Sequence, residues 1–161
     1  MNQSGLQFLL KRIIAARRDG PILVGIDGID ASGKTHLGDQ LYEQLRQAGF
    51  PVIRSTVDNF HHPRQVRYQR GKLSPEGYYY DSFNYALFKE YLLEPLSPNG
   101  SRQYRTGQFD HRTNQETPSP LLIATHEHIL ICDGIFLFRK ELVSYWDVKI
   151  FVDISFETSL N

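Results

Sequence analysis

The chain has 161 residues, which is long enough for one domain with a sizeable hydrophobic core. Its 18 Lys and Arg residues balance 18 Asp and Glu residues, and this zero net charge argues against binding to nucleic acid or to an anionic membrane through an overall field. The single cysteine cannot form an intramolecular disulfide. No apolar run is as long as the stretch of about 20 residues that is needed to span a bilayer. We therefore predict a cytoplasmic protein.

The first predicted elements are a helix and a strand. Residues 4–18 place leucine and isoleucine side chains along one stripe, which is typical of an amphipathic helix that packs on a sheet. Basic residues near its end leave a membrane- or partner-binding helix as the alternative. The breaker Asp19-Gly20-Pro21 ends this helix, and the apolar residues 21–27 predict the first strand.

This strand leads into Gly28-Ile29-Asp30-Ala31-Ser32-Gly33-Lys34-Thr35, which has the Gly-x-x-x-x-Gly-Lys-Thr spacing of a phosphate-binding loop. Its glycines let the backbone curl until successive N–H groups point at one anion, and the positive end of the next helix adds to the attraction. Lys34 supplies a charge to the β- and γ-phosphates, and the hydroxyl of Thr35 is placed to ligate Mg²⁺. We therefore predict that these eight residues bind ATP with Mg²⁺.

The alternative for this stretch is a glycine-rich turn that binds nothing. The sequence on either side favours the phosphate-binding loop, because a strand precedes it and Leu37, Leu41 and Leu45 follow at helical spacing. We predict a helix over residues 33–48, with Gly49 as its stop signal.

A second strand is predicted over residues 51–57, and it ends at Asp58. Ligands of parallel α/β sheets bind at the carboxyl ends of the strands. We therefore predict that Asp58 accepts the proton of an acceptor hydroxyl and also contacts the Mg²⁺ shell. The alternative is an aspartate that only caps a turn.

The middle of the chain is harder to assign. Residues 64–80 and 97–120 are polar and irregular, which predicts two excursions over the active face, the second with room for a hairpin. Between them, residues 83–92 predict a helix that Pro95 closes. Residues 121–124 predict a short strand.

The last part of the chain predicts two more strands. Residues 129–132 are apolar and lead into Asp133, which we predict to reach Mg²⁺ directly or through water; a solvated strand-end aspartate is the alternative. Residues 136–146 predict a loop with a short helix, residues 148–153 a fourth core strand, and the final residues the start of another helix. Strands that alternate with helices indicate an α/β protein with the three-layer P-loop NTPase fold, a parallel sheet flanked by helices.

Several short segments resemble those of one known family. Gly25-Ile26-Asp27-Gly28, Asp58-Asn59-Phe60 and Asp133-Gly134-Ile135-Phe136 are similar to segments of the uridine kinase/phosphoribulokinase family of P-loop kinases, and the similarity is greatest to uridine kinase-like members. Asp81-Ser82-Phe83-Asn84 resembles the family's Asp-Ala-Phe-Asp stretch. Phe109-Asp110 with Arg112 resembles its Tyr-Asp-x-x-x-His-x-Arg segment.

The resemblance implies a kinase that moves the γ-phosphoryl group of ATP to an alcohol group of a small metabolite, with a nucleoside such as uridine or cytidine as the expected acceptor. Asp58 would be the general base, with Lys34 as the second catalytic residue and with Thr35 and Asp133 on the Mg²⁺ side. The resemblance also implies a set of acceptor-binding residues: Asp81, Phe109, Asp110 and Arg112.

The resemblance further implies that residues 1–161 form a single P-loop kinase domain whose arginine-rich lid and last strand would follow Asn161. His61-His62-Pro63-Arg64 is similar instead to pantothenate kinase-like relatives, so a pantothenate- or sugar-phosphate-type kinase is one alternative. A nucleotide-binding switch without phosphoryl transfer is another, although the Asn-Lys-x-Asp segment of GTPases is missing. The expected partners are a small-molecule acceptor and, as an open alternative, further copies of the chain.

Overall fold

A computed structural model describes residues 1–153. Within these residues the strands are β1 (Ile22–Gly28), β2 (Val52–Thr56), β3 (Gln103–Tyr104), β4 (Phe109–Asp110), β5 (Gln115–Glu116), β6 (Leu122–Ile123), β7 (Ile129–Asp133) and β8 (Val148–Val152). The helices are α1 (Gln3–Ala15), α2 (Lys34–Gln47), α3 (Arg64–Arg67), α4 (Pro75–Asp81), α5 (Tyr85–Phe88) and α6 (Glu94–Leu96).

Four parallel strands form the central sheet in the order β2-β7-β1-β8. Side chains alternate along β1: Ile22, Val24 and Ile26 pack with α1 and α2, whereas Leu23 packs with the opposite layer around α5 and α6. Every residue of β1 is buried, as expected for a strand with helices on both faces. These observations confirm the predicted α/β fold with a parallel sheet between helical layers.

Two helices cover one face of the sheet. The side chain of Asn2 accepts a hydrogen bond from the backbone of Gly5 and caps α1, and α2 begins directly after the phosphate-binding loop. The predicted first helix is too long, because α1 ends at Ala15. Beyond it, Arg18 pairs with Asp147 at 2.5 Å and also donates to the carbonyl of Pro21, so the chain turns towards β1.

The segment 64–80, predicted to be irregular, contains the short helices α3 and α4. Ser74 caps α4 by accepting a hydrogen bond from the backbone N–H of Gly77 at 3.1 Å, and Pro75 follows at the start of the helix. This start signal was present in the sequence and was missed. The next predicted helix is confirmed, but it continues past Pro95 to Leu96 after one π turn over Lys89–Leu93.

The second irregular segment contains the predicted hairpin, in which β4 pairs with β5 in antiparallel register. The short strand predicted at 121–124 forms as β6, but it pairs with β3 outside the central sheet. Residues 143–145 form a single 3₁₀ turn. The helix predicted after Asp153 lies outside the described residues. In the part of the chain that the structure describes, no helix combines the length and apolarity required to cross a bilayer.

Candidate functional site

The phosphate-binding loop connects β1 to α2, and two of its glycines are required by its shape. Gly33 caps α2 with φ +91°, a left-handed conformation that side chains disfavour. At Gly28 the limit is space, because an added Cβ would lie 2.6 Å from the carbonyl oxygen of Val152 and 3.0 Å from Ser32 Oγ. The backbone can therefore curl at both ends of the loop.

The interior of this loop carries polar groups that suit a phosphate chain. Lys34 is buried, and its Nζ donates a hydrogen bond across the loop to the carbonyl oxygen of Ile29 at 2.5 Å. The hydroxyl of Ser32 is also buried and has no hydrogen-bond partner within the described residues. Buried polar atoms rarely stay unpaired, so a donor without an acceptor at this position fits a bound triphosphate oxygen.

The predicted metal-side pair is brought together at the start of α2. Asp133 ends β7 with 2% of its surface exposed, and its Oδ2 accepts a hydrogen bond from Thr35 Oγ1 at 2.9 Å. A hydroxyl and a carboxylate are the oxygen ligands that Mg²⁺ prefers, and Mg²⁺ completes its shell with water and substrate phosphates. These two residues therefore fit the Mg²⁺ that a nucleotide would bring.

Asp58 lies in a 3₁₀ turn, Val57–Phe60, directly after β2. The cap of this turn is Thr56, whose Oγ1 accepts a hydrogen bond from the backbone N–H of Asp58 at 3.2 Å. The Asp58 carboxylate makes no hydrogen bond or ion pair among the described residues. Thr56 therefore caps the turn, and the carboxylate of Asp58 is available for another partner.

The surroundings of Asp58 change the pKa of its carboxyl group. Although the residue as a whole is exposed, neighbouring atoms surround the carboxyl group, and this partial desolvation raises its pKa. The negative charge of Asp133 raises the pKa further, while His111 has the opposite effect. A carboxylate with a raised pKa that faces a cleft is a candidate general base.

One cavity of about 410 Å³ joins these groups. It is lined by both metal-side residues, by Asp58, and by His111 and Arg112 from the β4–β5 hairpin, among others. The predicted Thr35, Asp58, Asp133 and Arg112 are therefore brought together at the carboxyl ends of the strands.

A stack of rings supports the acceptor side of this cavity. The ring of His61 lies between those of Phe83, at 4.6 Å, and His111, at 4.4 Å, and its Nδ1 donates to the carbonyl oxygen of Asp58 at 2.7 Å. Burial lowers the pKa of His61 to about 4, so its imidazole is neutral near pH 7. The stack holds the turn that carries Asp58 against the hairpin.

The remaining predicted acceptor residues have different surroundings. Phe109 and Asp110 line a second cavity of about 330 Å³ next to the first. Asp110 also accepts a hydrogen bond from the backbone N–H of Arg112 at 2.9 Å, which lowers its pKa and orders the hairpin turn. Asp81 lines neither cavity. Its carboxyl group is buried and pairs with Arg70, whose Nε lies 2.9 Å away.

Two groups of site residues were not predicted from the sequence. Arg54 on β2 contacts Asp133 Oδ1 through its Nη1 at 2.7 Å. Next to Ile29 of the predicted loop, an apolar cavity of about 380 Å³ is lined by Tyr78, Ile135, Phe136 and Phe151. No sequence pattern identified either group, since both depend on segments far apart in the chain.

The family model for the phosphoribulokinase/uridine kinase family matches residues 23–161. The chain belongs to this family. A possible uridine kinase from Bacillus stearothermophilus has the same fold, with a TM-score of 0.82 and 28% identity over 98% of this chain and 84% of that one. The phosphate-binding loop and the two strand-end aspartates are thus found within a family of P-loop kinases.

Two curated relatives are less complete matches. The chain is 27% identical over 146 residues to the chloroplastic uridine/cytidine kinase UKL1 of Arabidopsis thaliana, covering 87% of this chain and 28% of the relative. It is 26% identical over 142 residues to uridine-cytidine kinase B of Dictyostelium discoideum, covering 88% of this chain and 56% of the relative. The chain therefore spans little more than half of the length of one relative and less than a third of the other.

Proposed function

We propose that this protein transfers the γ-phosphoryl group of ATP to an alcohol group of a nucleoside such as uridine or cytidine. The observation that carries the proposal is the cavity in which Asp58, whose carboxylate has no partner among the described residues, lies beside the hydrogen-bonded pair of Thr35 and Asp133. A base for the acceptor and ligands for the nucleotide's metal ion are the two parts that such a transfer requires.

The residues of the chain would divide the reaction as follows. The loop N–H groups and Lys34 hold the triphosphate, and Thr35 and Asp133 hold Mg²⁺, which when bound neutralises charge on the phosphate oxygens. Asp58 accepts the hydroxyl proton of the acceptor, whose oxygen forms a bond to the γ-phosphorus. The bond from the γ-phosphorus to the β–γ bridging oxygen breaks, and ADP leaves.

The apolar cavity beside the loop supports a ligand with a planar base, a group that ATP and a nucleoside acceptor both carry. Tyr78 and Phe136 contact each other edge to face at 5.5 Å, and together with Ile29 they provide the apolar and aromatic surface that a planar base requires. A sugar phosphate is the second candidate, because Arg112 and His111 line the cavity that contains Asp58, and a guanidinium recognises phosphate well.

The first test is ADP release from Mg²⁺-ATP with a panel of nucleosides, pantothenate and sugar phosphates. We expect uridine or cytidine to raise ADP release well above the background without an acceptor. As the matched control, Asp58→Asn should lower turnover about 10²- to 10⁴-fold, the range for loss of a general base, with nearly unchanged ATP affinity. Release that no acceptor raises above background would favour a nucleotide-binding switch, and stimulation by sugar phosphates alone would favour the second candidate.

A further inference from the structure

We propose that Arg54 is a positioning residue for the metal side of this site. This inference rests on the proposed function. The Arg54 guanidinium holds Asp133 and the first turn of α2 in one arrangement, so that the Asp133 carboxylate and the Thr35 hydroxyl both face the position expected for Mg²⁺. Arg54 itself does not bind the nucleotide.

The position of Arg54 in the sheet is unusual for a charged residue. It pairs in register with Ile131 of β7, and its neighbours Ile53 and Ser55 on β2 are buried. Only 19% of the Arg54 side chain is exposed. A cation in such a place is costly unless hydrogen bonds and opposite charges compensate it.

The compensation engages every nitrogen of the guanidinium group. Nη1 lies 2.7 Å from Asp133 Oδ1, Nη2 lies 3.2 Å from the carbonyl oxygen of Thr35, and Nε lies 3.0 Å from Asp39 Oδ1. Nη1 also donates to the carbonyl oxygens of Ser55, at 2.7 Å, and Ile131, at 3.3 Å. A guanidinium used in this way acts as a clamp between β2, β7 and α2, and it has little capacity left for a phosphate.

The clamp determines how Asp133 is oriented. Oδ1 of Asp133 accepts from Arg54, and Oδ2 accepts from the Thr35 hydroxyl, so the plane of the carboxylate is set from both sides. Arg54 also holds the backbone carbonyl of Thr35. Groups that orient metal ligands in this manner typically change metal affinity or activity about 10- to 100-fold when they are removed.

Gly38 provides a second, independent way to disturb the clamp. A Cβ added at Gly38 would lie 2.5 Å from Arg54 Nη2 and 2.7 Å from its Cζ, so the guanidinium packs directly on the backbone of α2. Gly38→Ala keeps all charges and improves the helix propensity of α2. It should nevertheless displace Arg54 from Asp133 and Thr35.

The experiment compares four variants in their binding of a fluorescent nonhydrolysable ATP analogue. Binding is measured with Mg²⁺ and with EDTA, and a titration gives the Mg²⁺ concentration that half-saturates binding. Arg54→Met retains most of the stem, Arg54→Lys retains the charge without the fork, and Gly38→Ala moves the guanidinium. Glu43→Gln is the matched control, because Glu43 lies on α2 outside the clamp, its side chain is 45% exposed, and it pairs with Arg46.

We expect Arg54→Met and Gly38→Ala to raise the half-saturating Mg²⁺ concentration about 10-fold or more, with binding in EDTA nearly unchanged. Arg54→Lys should recover little, because one ammonium cannot reach the separate partners of Nε, Nη1 and Nη2 at the same time. Glu43→Gln should remain within about 2-fold of the wild type, as expected for loss of an exposed ion pair.

Three results would contradict the inference. The first is a folded Arg54→Met protein with the Mg²⁺ requirement of the wild type. The second is an Arg54→Met protein whose analogue binding falls equally with and without Mg²⁺, which indicates a merely structural role. The third applies if Arg54→Met does not fold: an unchanged Mg²⁺ requirement in Gly38→Ala would then contradict the positioning role of Arg54. A wild-type protein that binds no nucleotide would overturn the proposed function itself, which separates the two failures.

Discussion

At the residue scale, the two strand-end carboxylates differ in their partners. Asp133 is buried and shares its oxygens between Arg54 and Thr35, whereas the Asp58 carboxylate has no partner among the described residues. Two acids in one cleft with different surroundings can serve different roles, one in holding a metal and one in moving a proton. We therefore propose Asp58, and not Asp133, as the base.

The raised pKa of Asp58 predicts the acid limb of the pH profile. A general base must be deprotonated, so kcat/KM should fall as the pH drops through the raised pKa of Asp58, above the 3.8 of an ordinary aspartate. The measurement is kcat/KM for the acceptor from pH 4 to pH 8 at saturating Mg²⁺-ATP. Asp58→Glu is the comparison, because it retains a carboxylate. An acid limb that stays at or below the ordinary value would remove Asp58 as the titrating base.

At the element scale, Arg139 joins α4 to α5. Its Nη1 donates to the carbonyl oxygen of Tyr79 on α4 and to the hydroxyl of Tyr85 on α5, both at 2.8 Å. Its guanidinium carbon also lies 4.1 Å and 4.5 Å from the centroids of these two rings. The segment after β7 is therefore joined to both helices through one buried cation.

Replacing this cation should destabilise the protein. We expect Arg139→Met to lower the free energy of unfolding by about 2–4 kcal/mol, because it removes buried hydrogen bonds to a charged group and two cation–π contacts. Urea unfolding followed by circular dichroism measures the change. Glu141→Gln is the control, since Glu141 is exposed and contacts only Nε of Arg139, so its loss should change the free energy of unfolding far less than loss of the cation does. Equal stability of the two variants would contradict the role of Arg139.

At the scale of the whole molecule, the sheet separates two buried clusters and places the loop at the carboxyl ends of its strands. One cluster contains α1 and α2, and the other contains the aromatic residues of the opposite layer. Gly28 packs against the carbonyl of Val152 at the end of β8, so the phosphate-binding loop is supported by the strand next to β1. A ligand held by the loop should therefore stabilise the whole sheet.

This coupling predicts a change in the melting temperature. At 100 times its Kd, a nonhydrolysable ATP analogue with Mg²⁺ should add about 2.7 kcal/mol of stability and raise Tm by roughly 5–10 °C. Differential scanning fluorimetry measures the shift. Lys34→Ala should lose most of it, and Lys11→Ala, on the exposed face of α1, should keep it. A full shift in Lys34→Ala would mean that the analogue binds elsewhere.

The order of motifs predicted much of the site, because backbone rules act locally. A strand followed by two spaced glycines and a helix predicted the curled loop, and the acid at each strand end predicted the carboxyl edge of the sheet. The acceptor side was less predictable. Asp81 was assigned by resemblance, and the structure pairs it with Arg70 instead of exposing it to a cavity, so its role in binding stays a prediction.

By itself, the sequence determined the fold class and the phosphate-binding loop, since both depend on residues that are close together in the chain. The tertiary structure decided which side chains meet across long separations: Arg54 and Asp133 are 79 positions apart, and Tyr78 donates a hydrogen bond to Asp30 over 48 positions. The first contact depends on strand order and register and the second on where α4 packs, and neither leaves a local pattern in the sequence.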